Sequence, residues 1–297
     1  MKLAYIKELI NRYQLYIKIS VSISILIVIF NIIDLTELVS VLFKIKVSTL
    51  TIIVSITVLS FINQALTWFF CLKISEDQKE NMISIVKSHT IGIALRLFLP
   101  GGTGTFGKVF YVKQGNKRAA FYSIVVEKFF IIWSVWFFAL WSVVILVPNG
   151  KVLFIILAIL LSFLVIIIPR LLKRYITPSL YNKFFLLLPY LITTSLITRL
   201  FDFIQYYLLL KCVTEIDLSF INSSICVAIV CVANTIPITI NGLGLRETIA
   251  ALIFPSLGIP IEISIGVPLV IFFLNAIIPA IPGAVLIITS KRKKERN

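Results

Sequence analysis

The sequence has little of what soluble catalytic and metal-binding domains depend on. Only 14% of its 297 residues are charged, against about 25% in a typical soluble domain, and 59% are hydrophobic. It contains one histidine, His89, and its four cysteines show no CxxC spacing. Its polar stretches are no longer than loops, which excludes a separate soluble enzyme within them. We therefore expect no metal site, no cofactor and no disulfide framework.

Long apolar runs are abundant instead. Runs of roughly 18 or more apolar residues recur along the chain, and a helix of that length crosses a hydrocarbon core about 30 Å thick. The predicted fold is all-α, a polytopic membrane protein in which residues 1–297 form one domain. We predict about six full transmembrane helices, near residues 17–33, 48–72, 123–147, 152–168, 188–210 and 263–288.

Two further hydrophobic segments, 83–111 and 219–257, are interrupted at their middles. The first contains a Pro-Gly-Gly-Thr-Gly run from Pro100, and the second contains Pro237 followed by Asn-Gly-Leu-Gly. Because proline removes a backbone donor and glycine loosens a helix, each segment should form two short helices joined by irregular backbone. We interpret both as re-entrant hairpins, which brings the hydrophobic segments to eight.

The net charge of +15 does not indicate a nucleic-acid partner, because the cations lie in short clusters between apolar runs. With both hairpins re-entrant, 20 of the 28 Lys and Arg residues fall on one side of the membrane. Basic loops mark the cytoplasmic side. We therefore expect a multi-pass protein of the cytoplasmic membrane with both termini in the cytoplasm.

The order of elements repeats along the chain. Gly104 and Gly244, one in each break, are 140 residues apart, and the spans before and after each break show the same offset. Three crossings per half invert the second copy, so we predict inverted halves of about 1–150 and 151–297. Inverted repeats with broken helices are typical of transporters that bind substrate at the repeat interface, although a duplicated protein need not transport.

Seven ionisable residues are predicted at membrane depth, where each costs roughly 2.5–3.5 kcal/mol unless it meets a partner or a cavity. They are Arg96, Glu127, Lys128, Arg199, Asp202, Arg246 and Glu247. Arg199 and Asp202 are three apart on one helix, so they can pair directly, with Gln205 extending the polar stripe. A purely structural ion pair is the competing interpretation.

The hairpin tips combine glycines with cations. Adjacent residues on a helix point in different directions, so we expect Glu127, Lys128, Arg246 and Glu247 to pair with other elements around these tips. Lys128 has a second interpretation, in which it reaches the membrane surface from its span. A glycine-rich turn, an inward helix N-terminus and a nearby cation favour an anion such as phosphate.

The two breaks resemble the signatures of the lysylphosphatidylglycerol synthase transmembrane-region family, also called flippase-like proteins. Thr235–Glu247 (TIPITINGLGLRE) resembles its Pro-x-(four)-Gly-x-Gly-x-Arg-Glu run, and Pro100–Lys108 (PGGTGTFGK) resembles its Pro-Gly-rich segment. Glu127–Lys128 corresponds to a usual Glu-Arg pair. Thr105 stands where the family often has an acid, and Lys108 where it usually has arginine.

The candidate substrate-binding residues follow from the depth of the charges, the hairpin tips and this resemblance. They are Gly102, Gly104, Lys108, Glu127, Lys128, Arg199, Asp202, Pro237, Asn241, Gly242, Gly244, Arg246 and Glu247.

The resemblance implies the flipping of a lipid between leaflets, either an aminoacylated phospholipid or a polyprenyl-phosphate-linked lipid. Its partners would then be membrane lipids with anionic or phosphate headgroups. The sequence contains no aminoacyl-transferase domain, so we expect no lysyl transfer. Two alternatives are open, a membrane-embedded lipid-phosphate transferase and a non-catalytic partner of a separate lipid or glycan synthase.

The charge asymmetry generates a prediction about topology. In a variant without native cysteines, a cysteine at Arg174 should react only with reagents that reach the cytoplasmic side, since the 170–183 loop carries four cations. A cysteine at Lys151 should react from outside. Labelling of position 174 from outside would contradict the re-entrant arrangement.

Overall fold

The structure is a computed structural model that describes residues 43, 45–74, 81–98, 100–112, 117–147, 151–171, 177–214, 216–237, 239 and 242–295. The described chain is helical and contains no strand, which confirms an all-α protein. The predicted first span, 17–33, and the candidate residue Asn241 lie outside the described residues.

The helices follow the apolar runs. In chain order they are α1 Val47–Ile74, α2 Met82–Phe98, a 3-10 helix Pro100–Tyr111, α3 Lys117–Leu146, α4 Lys151–Leu171, α5 Pro178–Val213, α6 Phe220–Val232, α7 Leu245–Ile253, α8 Ile261–Phe272, a π-helix Phe273–Ile277 and α9 Ile278–Glu295. Short 3-10 turns, Ala233–Thr235 and Phe254–Leu257, follow α6 and α7.

Four described helices are long and apolar enough to cross a membrane: α1, α3, α5, and α8 continuing into α9 as far as Thr289. The apolar stretches Lys151–Ile167 and Phe220–Thr235 are shorter. Large apolar side chains also lie exposed along the helices, for example Val54, Val58 and Ile62 on one face of α1. Such faces belong in lipid, so the chain is an integral membrane protein; the count of six full spans stays a prediction.

The first broken segment folds back on itself, but its second limb differs from expectation. The glycine-rich run lies within a 12-residue 3-10 helix rather than in irregular backbone. This helix packs closely against α2: a Cβ on Gly104 would lie 1.8 Å from the backbone oxygen of Leu95, and one on Gly107 would lie 2.5 Å from the Leu95 side chain. The glycines are needed for this approach, and they tolerate a helix type that is uncommon at this length.

The second broken segment matches the prediction more closely. α6 ends at Val232, and α7 does not begin until Leu245. The turn before α7 contains two glycines with positive φ, Gly242 at +78° and Gly244 at +85°. A Cβ on Gly242 would also lie 2.7 Å from Oδ1 of Asn234, so glycine is required there for two reasons.

Helices α1 and α5 pack side by side and run antiparallel, as their hydrogen bonds show. Near the middle of α1, Asn63 Nδ2 donates to the Thr194 carbonyl at 2.7 Å and to Thr198 Oγ1 at 2.8 Å. Towards the start of α1, Gln205 Nε2 donates to Thr57 Oγ1 at 2.8 Å. Residues later in α1 therefore contact residues earlier in α5, which is the antiparallel order.

Contacts between the halves are reciprocal. Helix α3 packs against α6, the first helix of the second broken segment, and α9 packs against α2, the first helix of the other. In an inverted repeat, each contact between the halves has a counterpart in which the halves are exchanged, and the first helices of the two halves run antiparallel. The repeat and its 140-residue offset remain predictions.

The contact between α9 and α2 depends on Gly283. A Cβ there would lie 2.4 Å from the Thr90 carbonyl oxygen and 2.8 Å from Cβ of Ala94. We expect Gly283→Val to destabilise the protein by about 1–3 kcal/mol through overpacking, seen as a lower midpoint of thermal unfolding in detergent. The control is Val285→Ala, since Val285 is 54% exposed on the same helix. Equal midpoints for the two variants would contradict this close packing.

Candidate functional site

A cavity of about 430 Å³ lies among the described helices, a size typical of small-ligand sites. Its charged lining comes from four helices: Arg96 from the end of α2, Lys128 from α3, Arg199 and Asp202 from α5, and Arg246 from α7. Arg96 and Arg246 lie at helix ends beside the two breaks, whereas Lys128, Arg199 and Asp202 lie within long helices. Among the described residues, the lining therefore contains four cations and one carboxylate.

Arg246 is held in the cavity wall by two neighbours. Its Nη2 donates to Glu247 Oε1 at 2.6 Å and its Nε to the same oxygen at 3.2 Å. Its guanidinium carbon lies 5.1 Å from the centre of the Phe272 ring, an arrangement that favours a cation. The expectation that these adjacent residues pair with other elements was wrong for Arg246 and Glu247.

The turn at the start of α7 explains why they pair. The carboxylate of Glu247 folds back over the helix N-terminus, where Oε2 accepts the Gly244 N–H at 2.6 Å. A glutamate three residues after the cap can make this bond, and the helix dipole stabilises its charge. Glu247 is fully buried, so it braces the turn and Arg246 together.

The predicted pair on α5 is confirmed, with Arg199 Nη1 2.7 Å from Asp202 Oδ2. One turn further along, Gln205 Oε1 accepts from Asn275 Nδ2 at 2.7 Å, and Asn275 also lines the cavity. Asn275 lies in the π-helix between α8 and α9. Such bulges are frequent at functional sites, and here the bulge contributes a polar residue to the cavity lining.

Arg96 and Lys128 differ from the other cations in the lining. Neither forms an ion pair with a carboxylate in the part of the chain that the structure describes. Lys128 is eleven residues from the start of α3, about 16 Å along the helix axis. It lies in the cavity lining, which argues against the interpretation that it reaches the membrane surface.

Lys108 and Glu127 form a different kind of site. They pair with each other in the interior, and Lys108 Nζ lies 3.8 Å from the centre of the Trp68 ring. Lys108 is 1% exposed and Glu127 3% exposed, and neither belongs to the cavity lining. The expected pairing of Glu127 with another element is confirmed, and the pair joins the first broken segment to α3.

The candidate residues therefore separate into two groups. Those in the lining of the cavity are Lys128, Arg199, Asp202, Pro237, Gly242 and Arg246. Those outside the lining are Gly102, Gly104, Lys108, Glu127, Gly244 and Glu247. Substrate contact by any of them stays a prediction.

Arg96 was not among the candidate residues, although it lines the cavity and was recognised at membrane depth. No motif pointed to it; its position at the end of α2, just before the break, was the available signal. Gln64 and Asn275 were missed because single amides in apolar helices resemble ordinary helix contacts. No three His, Cys, Asp or Glu residues of the described chain are grouped so as to hold a metal.

Comparison with known proteins agrees with this architecture. The model of the lysylphosphatidylglycerol synthase TM region family matches residues 15–283, nearly the whole chain. The chain belongs to this family and is an integral membrane protein of lipid metabolism or transport. Neither the curated proteins nor the solved structures contain a match to it.

The buried pair leads to a test of its structural role. Lys108→Met leaves the Glu127 carboxylate buried and unpaired, which we expect to cost about 3–5 kcal/mol in stability. Glu127→Leu should cost a similar amount, whereas the double variant should lose less than the sum because no charge is left alone. Thermal unfolding in detergent measures all three, with Lys151→Met at an exposed position as the control. Additive losses would contradict a direct pair.

Proposed function

We propose that this protein moves a phosphate-bearing lipid between membrane leaflets. The observation that carries the proposal is the convergence of four cations on one cavity among helices that span the membrane. Such cations are costly unless they meet a partner, and two of them have no described carboxylate partner. A lipid phosphate provides the missing charge, and membership of a lipid-related family supports the choice.

The apolar part of the lining suits the remainder of a lipid. Phe106, Ile131, Ile132 and Phe272 lie beside the charged residues. Ile132 also shares a face of α3 with Val125 and Trp136, and all three are exposed. The headgroup would occupy the polar centre of the cavity while the acyl chains stay along this apolar face in the bilayer.

Arg246 is proposed as the main phosphate ligand. Glu247 already orients the guanidinium, and Arg246 is part of the cavity lining. A planar guanidinium binds two phosphate oxygens through parallel N–H bonds, which the point charge of lysine cannot reproduce. Glu247 would act as a positioning residue, since both of its oxygens are engaged by Gly244 and Arg246.

The two alternatives have less support. A lipid-phosphate transferase needs a carboxylate free to act as base or metal ligand, and Asp202, the one carboxylate in the lining among the described residues, is paired with Arg199. A non-catalytic partner of a synthase would have no need of a cationic cavity at membrane depth. The cavity therefore favours transport.

Variants at Arg246 test the proposal. We expect Arg246→Lys to slow flipping about ten-fold or more, because at least one charge-assisted bond to phosphate is lost. Arg246→Ala should be slower still and less stable, since it leaves Glu247 buried without its partner. The measurement is leaflet-resolved exposure of a fluorescent phospholipid in reconstituted vesicles, normalised to folded protein. Lys151→Ala, at an exposed cation outside the cavity, is the control.

Three outcomes separate the interpretations. Loss of flipping by well-folded Arg246→Lys supports phosphate binding. Wild-type flipping by folded Arg246→Ala would end the proposal. A loss that only follows the amount of misfolded protein would mean that Arg246 and Glu247 brace the turn and do nothing more.

A further inference from the structure

The charges at membrane depth do not balance. In and beside the cavity, the described residues comprise five cations, Arg96, Lys108, Lys128, Arg199 and Arg246, against three carboxylates, Glu127, Asp202 and Glu247. Each carboxylate is paired with one cation, so no carboxylate of this group is left to pair with the other two cations. The excess is two positive charges, those of Arg96 and Lys128.

Unpaired polar atoms in the cavity lining also indicate an anionic ligand. Arg96 Nε, Arg199 Nε and Thr239 Oγ1 are buried and have no hydrogen-bond partner among the described residues. All three residues line the cavity, and Thr239 is 1% exposed. The two nitrogens can only donate and the hydroxyl can also donate, so the complementary ligand is a group of acceptor oxygens.

A basic headgroup meets little free carboxylate in this arrangement. Both oxygens of Glu247 are occupied, and Oδ2 of Asp202 is paired with Arg199. A headgroup of net positive charge would also add to the existing excess, at a cost that rises in a low-dielectric site.

We propose that the cavity selects a phosphate group carrying two negative charges, a phosphomonoester or a diphosphate, and discriminates against aminoacylated headgroups. The inference rests on the proposed function and specifies its substrate class. Arg96 and Lys128 are the specificity-determining residues, because they provide the two charges that no described carboxylate pairs with. Thr239 contributes a hydroxyl donor to one of the phosphate oxygens.

Binding by lipids that differ only in headgroup tests the proposal. The probes are phosphatidic acid, phosphatidylglycerol, phosphatidylcholine and lysyl-phosphatidylglycerol with identical acyl chains, at pH 7.5. At this pH a phosphomonoester, whose second pKa is about 6, carries close to two negative charges. Each competes with fluorescent phosphatidic acid for the purified full chain in detergent. We expect phosphatidic acid to bind at least ten-fold more tightly than phosphatidylglycerol, and lysyl-phosphatidylglycerol to bind most weakly.

Inorganic phosphate is a further competitor, because the same chemistry exists in free phosphate. Weak competition, at least a hundred-fold poorer than that of phosphatidic acid, supports recognition of a lipid headgroup. Competition as strong as that of phosphatidic acid would mean that the cavity takes free phosphate and would overturn the lipid part of the proposal. Equal or tighter binding of lysyl-phosphatidylglycerol would overturn the charge selection.

Variants connect the preference to the two unpaired cations. Arg96→Gln and Lys128→Gln should each reduce the preference for phosphatidic acid over phosphatidylglycerol by about ten-fold while leaving thermal stability unchanged or higher. The matched control, Lys151→Gln, should keep the full preference. An unchanged preference in both cavity variants would refute the assignment even if the wild-type protein is selective.

Failure of this inference is distinguishable from failure of the transport proposal. Selective binding without flipping in vesicles would reject transport and leave the headgroup assignment standing. Flipping of all four lipids at similar rates, with no preference in binding, would reject the headgroup assignment and leave transport standing.

Discussion

The placement of charge inside an apolar protein governs the rest of this structure. A charge in the middle of membrane-spanning helices is tolerated only where it meets an opposite charge, a dipole or a polar cavity. Three of the buried cations satisfy this requirement through carboxylates: Lys108 with Glu127, Arg199 with Asp202 and Arg246 with Glu247. Arg96 and Lys128 instead face the cavity. Of the four cations in the lining, two are therefore paired with carboxylates and two have no carboxylate partner among the described residues.

The glycine-rich breaks make this arrangement possible. In an unbroken helix, Arg96 or Arg246 would lie at the middle of a continuous membrane span. A break ends the helix there, so the helix end and its charged residue lie inside the protein. Gly104 allows the 3-10 helix to lie against α2, and Gly242 and Gly244 provide the positive-φ backbone from which α7 starts. The same turn places Glu247 where it can accept the Gly244 N–H and orient Arg246.

The cavity lies between residues of both halves of the chain. Both halves contribute to the cavity lining, the first with Arg96 and Lys128 and the second with Arg199, Arg246 and Asn275 among others. A small movement of either half would therefore change the surroundings of all four lining cations together. The amides of Asn63 and Gln205 provide specific polar contacts between α1 of one half and α5 of the other.

The sequence by itself determined the all-helical membrane architecture, the positions of the long helices and of both breaks, and the pairing of Arg199 with Asp202. Those features follow from local properties: hydrophobic run length, glycine and proline placement, and a spacing of three on one helix. Only the tertiary structure decided that Lys108 meets Glu127, that Arg246 turns to its neighbour Glu247, and that Arg96 faces the same cavity as Lys128. The 3-10 form of Pro100–Tyr111 was likewise beyond sequence reasoning. These outcomes depend on which helix ends meet in space, because the partner that a buried charge finds is set by packing between segments distant in the chain and not by the residues beside it.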